Sequence, residues 1–134
     1  MKVNYLIDTD WIIHYLSGTE TIVENMEKLR AEGLGVSVVS LAELYEGVFY
    51  SKNPEAGLQG LEDFLEDIPV LDVNDEVCRV FGKERGRLRK QGNLIGDFDL
   101  LIASICLAHD LTLLTNNVRH FERVEGLRIV SSKK

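Results

Sequence analysis

The segment 97–108 constrains the fold of this chain most strongly, because it is a predicted helix that is apolar on nearly every side. Its apolar residues occupy almost every position rather than a single stripe: Phe98, Leu100, Leu101, Ile102, Ala103, Ile105, Cys106 and Leu107. A helix of this kind is stable only where other elements cover it on several sides. The rest of the chain is therefore expected to supply layers of secondary structure around it.

Short apolar runs alternate with helical periodicity along the remainder of the sequence. Strands are predicted at residues 3–7, 36–39, 68–71, 111–114 and 127–130. Helices are predicted at residues 11–16, 21–31, 40–49, 58–65 and 74–88. This alternation predicts an α/β fold with a mostly parallel central sheet flanked by helices. With 134 residues, the chain is expected to form a single domain over 1–134.

The charge balance argues against a protein that holds nucleic acid by bulk electrostatic attraction. The net charge is −7, from 15 basic and 22 acidic residues. A nucleic-acid enzyme with this balance needs divalent cations and a local basic surface. One basic run is present, at Arg79, Lys83, Arg85, Arg87, Arg89 and Lys90. The run fits either a solvated helix face or a surface that guides a polyanion.

The cysteines and the hydropathy pattern indicate a reducing compartment. Cys78 and Cys106 lie in apolar surroundings with helical spacing, so both are predicted to be buried free thiols rather than a disulfide. No signal peptide is recognised at the N-terminus. The longest apolar stretch, 100–108, is far shorter than the ~20 residues that span a bilayer. A cytoplasmic location is therefore expected.

Acidic residues recur just after the predicted strands or at the start of the following helices. Asp8 follows the first strand, Glu43 lies one turn into the helix after the second, and Asp97 and Asp99 begin the apolar helix. In such folds, ligands bind outside the carboxyl ends of the strands, where the next helix also starts. Further polar residues map to the same edge, namely Thr9, Asp10, Thr115, Asn116 and Asn117.

Carboxylates grouped at one edge need a compensating partner, because like charges and burial raise their pKa values. Asp99 needs one most, since an unpaired carboxylate in the first turn of a buried helix costs several kcal/mol. No lysine or arginine lies near Asp8, Glu43 or Asp99 in the sequence. Oxygen ligands suit Mg²⁺ or Mn²⁺, whereas zinc prefers histidine or cysteine. The histidines are expected to be surface or packing residues: His14, His109 and His120.

Several of these residues also have a purely structural interpretation. Asp8 or Asp10 is a candidate N-cap of the helix at 11–16. The Ser40 to Glu43 segment fits a capping box, in which the glutamate bonds back to the Ser40 amide.

Asp97 is expected to cap the apolar helix at its N-terminus. Residues two apart on a helix point about 200° apart. Asp97 and Asp99 are therefore not expected to hold one ion equally, and Asp99 is the predicted ligand.

Four segments carry a family resemblance. They are residues 6–10 (Leu-Ile-Asp-Thr-Asp), 38–47 (Val-Val-Ser-Leu-Ala-Glu-Leu-Tyr-Glu-Gly), 95–103 (Ile-Gly-Asp-Phe-Asp-Leu-Leu-Ile-Ala) and 114–121 (Leu-Thr-Asn-Asn-Val-Arg-His-Phe). In order and spacing the set resembles the signatures of the PIN-domain ribonucleases, and most closely the VapC toxins of bacterial toxin–antitoxin systems. Each motif alone is weak, and the combination over essentially the whole chain is specific.

The resemblance implies a PIN-like three-layer sandwich and a Mg²⁺-dependent endoribonuclease, in which Mn²⁺ is expected to substitute. It further implies a homodimer inhibited by a small VapB-like antitoxin. Asp8, Glu43 and Asp99 match the acidic metal site of the family and are the expected catalytic residues. The family's frequent fourth acid corresponds here to Asn117, whose neutral oxygen holds a second cation less well. The outer part of the site is expected to include Asp97, Thr9, Thr115, Asn116 and Asn117.

The expected reaction is hydrolysis of an RNA phosphodiester by metal-activated water. Asp8 and Asp99 hold the ion in this hypothesis, and Glu43 binds it or orients the water. The RNA backbone is expected to be guided by some of the basic residues Arg85, Arg87, Arg89, Arg119 and Arg123. The predicted helices 11–16 and 21–31 are expected to form the floor of an apolar antitoxin groove.

Two other functions are compatible with parts of the sequence. Asp8-Thr9-Asp10 after a strand imitates the nucleophile motif of haloacid-dehalogenase-like phosphatases, although Ile12 stands where that family has Thr or Val. A non-catalytic module that binds RNA or a protein is the second alternative. The three acids argue against such a module, because binding alone does not require Asp8, Glu43 and Asp99 to lie where their charges repel one another.

Overall fold

The structure is a computed structural model that describes residues 2–132 of the chain. Within that range the strands are Tyr5–Ile7 (β1), Leu34–Ser37 (β2), Val70–Leu71 (β3), Thr112–Leu114 (β4) and Arg128–Val130 (β5). They form one sheet in the order β3–β2–β1–β4–β5. All four pairings are parallel, so the prediction of a mostly parallel sheet is confirmed. In the register, Ile7 lies between Val36 and Leu114.

Helices connect these strands. Their bounds are Thr9–Leu16 (α1), Glu20–Leu29 (α2), Val38–Phe49 (α3), Pro54–Leu65 (α4), Asp75–Lys90 (α5), Asp97–His109 (α6) and Val118–Phe121 (α7). A short 3₁₀ turn, Arg30–Glu32, follows α2. Helix α7 was not predicted from the sequence, because a single turn is too short to show a periodic pattern. Every helix within residues 2–132 is too short or too polar to span a lipid bilayer.

The helices cover both faces of the sheet. Side chains alternate between the two faces of a strand. Leu6 and Leu113 belong to the core that contains α5 and α6, whereas Ile7 and Leu114 belong to the core that contains α1, α2 and α4. The protein is therefore a three-layer sandwich with an apolar core on each side of the sheet, as expected.

Helix α6 is the most buried helix, as its composition predicts. Leu100, Ile102, Ala103 and Ile105 have no exposed surface, and Cys106 is 1% exposed. The two cysteines differ, since Cys106 is a buried free thiol and Cys78 is an exposed one. The prediction that Cys78 is buried was wrong, because it lies on the outer face of α5.

Strand β2 and helix α3 begin two residues earlier than the sequence predicted. Gly35 belongs to the strand, where it pairs with Leu6. A Cβ atom at this position would lie 2.9 Å from Cγ1 of Val3, so the close approach of Val3 favours glycine here. The Ser37 hydroxyl accepts a hydrogen bond from the Ser40 amide at 2.9 Å and caps α3. This cap draws Val38 and Val39 into the helix despite their β propensity.

Helix α5 extends further than its glycines suggested. Asn74 caps it by accepting a hydrogen bond from the Val77 amide at 3.0 Å. The helix continues through Gly82 and Gly86 to Lys90. Each glycine costs about 1 kcal/mol relative to alanine, and the buried apolar face of the helix offsets this cost.

One buried ionic cluster joins α5 to the segment after α7. Glu84 accepts hydrogen bonds from Arg87 at 2.6 and 2.8 Å and from the Glu125 amide at 3.0 Å. The Arg87 guanidinium also donates to the Arg123 carbonyl at 2.9 Å. The hydrogen bonds from Arg87 hold the pKa of Glu84 below its usual range, against the opposing effect of burial.

We predict that Glu84→Gln lowers the free energy of unfolding by about 1–3 kcal/mol at neutral pH, because it removes a buried charge partner. A depressed pKa stabilises the fold above the unfolded-state value of about 4.3. The stabilisation declines as the pH falls through and below that value. Urea denaturation at pH 7 and pH 3.5 measures the difference, which should shrink at the lower pH.

Glu125→Gln is the matched control, because the Glu125 carboxylate faces the same arginine from an exposed position. Its cost should stay below about 0.5 kcal/mol. Equal costs for the two variants, independent of pH, would contradict the assignment.

Candidate active site

The predicted acidic residues lie at the carboxyl edge of the sheet. Asp8 follows β1 and Thr115 follows β4, which are adjacent strands. Glu43 lies in α3, and Asp99 lies in the first turn of α6. The carboxyl end of a parallel sheet, where the next helices begin, brings these four elements together.

Asp8 is buried at the centre of this edge, with 5% of its surface exposed. Its Oδ1 accepts a hydrogen bond from the Thr9 amide at 2.9 Å, which makes Asp8 the N-cap of α1. Its Oδ2 accepts a hydrogen bond from the Thr115 hydroxyl at 2.7 Å. The prediction that Asp8 caps α1 is therefore confirmed, and its second oxygen lies at the same edge of the sheet as the other candidate site residues.

The electrostatics of this edge favour a positive partner. Burial, followed by the negative charge of Asp10, raises the pKa of Asp8 to about 7. Hydrogen bonds from Thr115 and Thr9 act in the opposite direction, and the charge of Asp99 adds to the increase. The effect of Asp99 indicates that its carboxylate lies within electrostatic range of Asp8. A bound cation would relieve the cost of ionising Asp8.

Glu43 is joined to α1 through a hydroxyl group. The Thr9 hydroxyl lies 2.8 Å from Glu43 Oε1 and 2.9 Å from Ser40 Oγ. The predicted capping box was wrong, because Ser37 caps α3 and the Glu43 side chain reaches across to Thr9. Glu43 therefore contacts the residue that directly follows Asp8 in the sequence.

Asp99 faces helix α7. Its Oδ2 lies 3.5 Å from Nδ1 of His120, and both side chains are partly exposed. The same His120 nitrogen lies 2.9 Å from Nδ2 of Asn117. A protonated Nδ1 can pair with Asp99, whereas a bare Nδ1 can accept from Asn117.

His120 is exposed on α7, as expected of a surface histidine. The sequence did not indicate that it lies beside Asp99, because the short helix α7 was not predicted. His14 and His109 are exposed, as expected.

Asp97 points away from Asp99 and contacts helix α5. Gly96 is the N-cap of α6, so the prediction that Asp97 caps this helix was wrong. Asp97 Oδ1 instead accepts a hydrogen bond from Arg85 Nε at 3.0 Å. The divergence of Asp97 and Asp99 follows from the helical rotation between residues two apart.

Asn116 has a structural position beside the site. Its amide donates to Asp10 Oδ2 at 3.0 Å, and its Oδ1 accepts from Trp11 Nε1 at 3.0 Å and from the Ser132 amide at 2.9 Å. These contacts join α1 to the segment after β5. Sequence reasoning placed Asp10 at this edge and considered it as a cap. Its buried Oδ1 has no hydrogen-bond partner among residues 2–132.

Asn117 lies between Thr115 and His120. Its amide donates to the Thr115 hydroxyl at 3.0 Å, and its side chain contacts His120. Thr115 therefore links Asp8 to the start of α7.

Some of the predicted basic residues are already bound to other groups of the protein, and the others have exposed side chains. Arg85 pairs with Asp97, and Arg87 is held in the buried cluster with Glu84. Arg89 and Arg119 have exposed side chains on α5 and α7. Arg123 donates to the Leu94 carbonyl at 3.0 Å.

The donor atoms at this edge are of the type that a hard divalent cation prefers, since Asp8, Glu43 and Asp99 offer carboxylate oxygens. Among residues 2–132, the buried Oδ1 of Asp10 also lacks a hydrogen-bond partner. The spacing of these groups does not form a closed coordination site. In the described part of the chain, no three His, Cys, Asp or Glu side chains are grouped closely enough to coordinate one ion. Asp8 and Glu43 instead accept hydrogen bonds from the two threonines.

A model of the PIN domain family matches residues 5–127. The chain belongs to the PIN-domain family. This match overturns the haloacid-dehalogenase-like alternative, because a different family accounts for nearly the whole sequence.

Two relatives of this PIN domain match it over most of their length. Ribonuclease VapC2 of Haemophilus influenzae is 35% identical over 126 residues, covering 94% of this chain and 96% of the relative. The tRNA(fMet)-specific endonuclease VapC of Shigella flexneri is 34% identical over 126 residues, with the same shares of 94% and 96%.

Solved structures have the same architecture as this PIN domain. VapBC2 from Rickettsia felis, bound to a DNA fragment from its promoter, gives a TM-score of 0.90 at 30% identity, covering 96% of this chain and 98% of that chain. VapBC-1 from nontypeable Haemophilus influenzae gives a TM-score of 0.88 at 34% identity, covering 98% and 100%.

We predict that Thr115→Val lowers the free energy of unfolding by about 1–3 kcal/mol, because the change leaves two buried polar groups without their partner. These groups are Asp8 Oδ2 and the Asn117 amide. Thr115→Ser retains the hydroxyl and should recover most of the loss. The two urea midpoints test this expectation, and equal midpoints for Val and Ser would show that the hydroxyl contributes nothing.

Proposed function

We propose that the protein is a Mg²⁺-dependent endoribonuclease and the toxin of a type II toxin–antitoxin pair. The observation that carries this proposal is the position of Asp8, Glu43 and Asp99 at one edge of the sheet. Asp8 is buried there, and its pKa is raised to about 7. Membership of the PIN-domain family and the ribonuclease names of its relatives support the reaction class.

Mg²⁺ is the proposed cofactor, and Mn²⁺ is expected to substitute for it. Asp8 and Asp99 are the proposed ligands, and Glu43 either completes the set or orients water. All three offer only hard oxygen atoms. When bound, the cation would lower the pKa of a water molecule and neutralise charge on the phosphoryl oxygens.

The residues around the carboxylates fix their orientation. Thr115 and the Thr9 amide hold the two oxygens of Asp8. The Thr9 hydroxyl holds Oε1 of Glu43, which leaves Oε2 to accept a proton from the attacking water. Asn117 and His120 border Asp99, where His120 in its protonated form would face a substrate phosphate.

RNA is the proposed substrate, and its backbone requires a local basic surface on this acidic protein. Arg89 and Arg119 are the stronger candidates for that surface, because their side chains are exposed, whereas Arg85 is paired with Asp97. Arg87 is a weaker candidate, because its guanidinium is held by Glu84 and the Arg123 carbonyl. Arg123 is likewise engaged, with the Leu94 carbonyl.

A VapB-like antitoxin is the proposed protein partner, since VapBC structures are among the similar ones. An apolar groove of about 310 Å³ lies between α1, α3 and α4, with Ile13, Leu16 and Val48 in its walls. Glu43 also lines this groove, so an occupant would lie against the active site.

The sequence placed the antitoxin groove on helices 11–16 and 21–31. The groove proposed here includes α1 and is completed by α3 and α4, and its lining residues do not include α2. A homodimer in the cytoplasm remains part of the proposal.

We predict that Asp8→Asn and Asp99→Asn each lower RNA cleavage more than about 100-fold, because even changes outside the direct ligands of a metal cost 10- to 100-fold. The assay compares the antitoxin-free proteins in Mg²⁺, Mn²⁺ and EDTA. Calorimetry with Mn²⁺ should show weaker binding by both variants.

Asp75→Asn is the control, since Asp75 is an exposed acid paired with Arg79 on α5. It should cleave RNA like the wild type. Cleavage that survives EDTA, or equal rates for Asp8→Asn and the wild type, would contradict the enzyme assignment. RNA binding without turnover by the wild type would select the non-catalytic module.

We predict that Leu16→Glu prevents co-purification of the co-expressed antitoxin, because it places a charge in an apolar groove. Val70→Glu is the control, since Val70 is 37% exposed and Leu16 is 41% exposed. Retention of the antitoxin by Leu16→Glu would place the docking surface elsewhere.

A further inference from the structure

Phe98 is an exposed aromatic residue on an otherwise buried helix. It is 57% exposed, whereas Leu100, Ile102 and Ile105 on the same helix have no exposed surface. Its backbone lies directly between Asp97 and Asp99, in the first turn of α6. Exposing an aromatic ring to water is unfavourable by an amount that scales with its apolar area. The ring is therefore available to a ligand that reaches the active site.

The segment that leads into Phe98 is held at three positions, Leu94, Ile95 and Asp97. Arg123 donates to the Leu94 carbonyl at 3.0 Å, and Arg85 Nε donates to Asp97 Oδ1 at 3.0 Å. Ile95 is anchored in the core with 8% exposure. A ring on a fixed backbone loses little conformational freedom when it binds, because phenylalanine has only two rotatable side-chain bonds.

The surroundings of Phe98 suit a nucleic-acid strand. Asp99, the next residue, contacts His120, and Asp97, the preceding residue, contacts Arg85. Arg119 lies beside His120 with an exposed side chain. A polyanion bound at the carboxylates would pass these basic groups, and its bases would lie within reach of the ring.

We propose that Phe98 stacks against an unpaired base adjacent to the cleaved phosphodiester bond. The proposal rests on the proposed function for the identity of the ligand. Stacking on an aromatic side chain requires the face of a base, and only an unpaired, unstacked base offers its face. A continuous duplex offers the ring only sugar, phosphate and groove edges.

The first test measures binding with a fluorescein-labelled 2′-O-methyl oligoadenylate as a single-stranded probe, in EDTA so that the proposed metal-dependent cleavage cannot occur. Phe98→Ala should weaken binding about 5- to 100-fold, the range expected for loss of one stacked base. Phe98→Tyr should bind like the wild type, because it keeps the ring. Phe49→Ala is the matched control, since Phe49 is 58% exposed on α3. It should bind like the wild type.

The second test asks whether the base is the group recognised. An abasic oligonucleotide of the same length should bind equally to the wild type and Phe98→Ala, and so should a duplex of the same sequence. An equal loss on the abasic, duplex and single-stranded probes would overturn the stacking proposal. The proposal would also be overturned if Phe98→Ala changed the molecular mass measured by light scattering and showed no base-dependent loss of binding. That result would assign the ring to a protein interface.

Cleavage kinetics separate this proposal from the one it rests on. On single-stranded RNA, Phe98→Ala should raise KM by a larger factor than it lowers kcat. The reason is that stacking stabilises the ground state and the transition state alike. If the wild type cleaves and Phe98→Ala matches it in KM and binding, the stacking role is wrong and the nuclease stands. If the wild type binds with Phe98-dependent affinity and does not cleave, the nuclease is wrong and the stacking role stands.

Discussion

A carboxylate buried at the end of a strand is the constraint on which the rest of this protein depends. Asp8 is 5% exposed, and its two oxygens are held by the Thr9 amide and the Thr115 hydroxyl. These bonds fix the start of α1 and join the ends of β1 and β4. Because burial and Asp10 raise the pKa of Asp8, the fold maintains a site where a positive ligand is favoured. The same residue thus organises the structure and its chemistry.

The sheet and its functional edge were predictable because they depend on patterns that extend over many residues. The alternation of strands and helices fixes the order in which chain ends reach the edge, and the apolar character of α6 fixes its central place. These patterns were sufficient to predict that Asp8, Glu43 and Asp99 lie at the same edge of the sheet. The pairwise geometry at that edge depends on single rotations and caps, which these patterns do not determine.

The errors share this local origin. A capping serine at position 37 rather than 40 shifts α3 by two residues and turns Glu43 towards Thr9. Asp97 meets Arg85 because two helices happen to lie side by side, a contact between positions 12 residues apart. Asn116 accepts hydrogen bonds from Trp11 and from the Ser132 amide, which the sequence did not indicate. In each case a polar residue found its partner through tertiary packing, which spacing in the sequence does not encode.

The bond between Thr115 and Asp8 spans 107 positions of the chain. During synthesis on the ribosome, the first strand emerges long before the strand that must lie beside it. The carboxylate of Asp8 therefore lacks its hydroxyl donor until most of the polypeptide has been made. Loop closure over such a distance is slow compared with local folding. A nascent chain consequently lacks the contact between Thr115 and Asp8, and the candidate site is assembled only near the completion of translation.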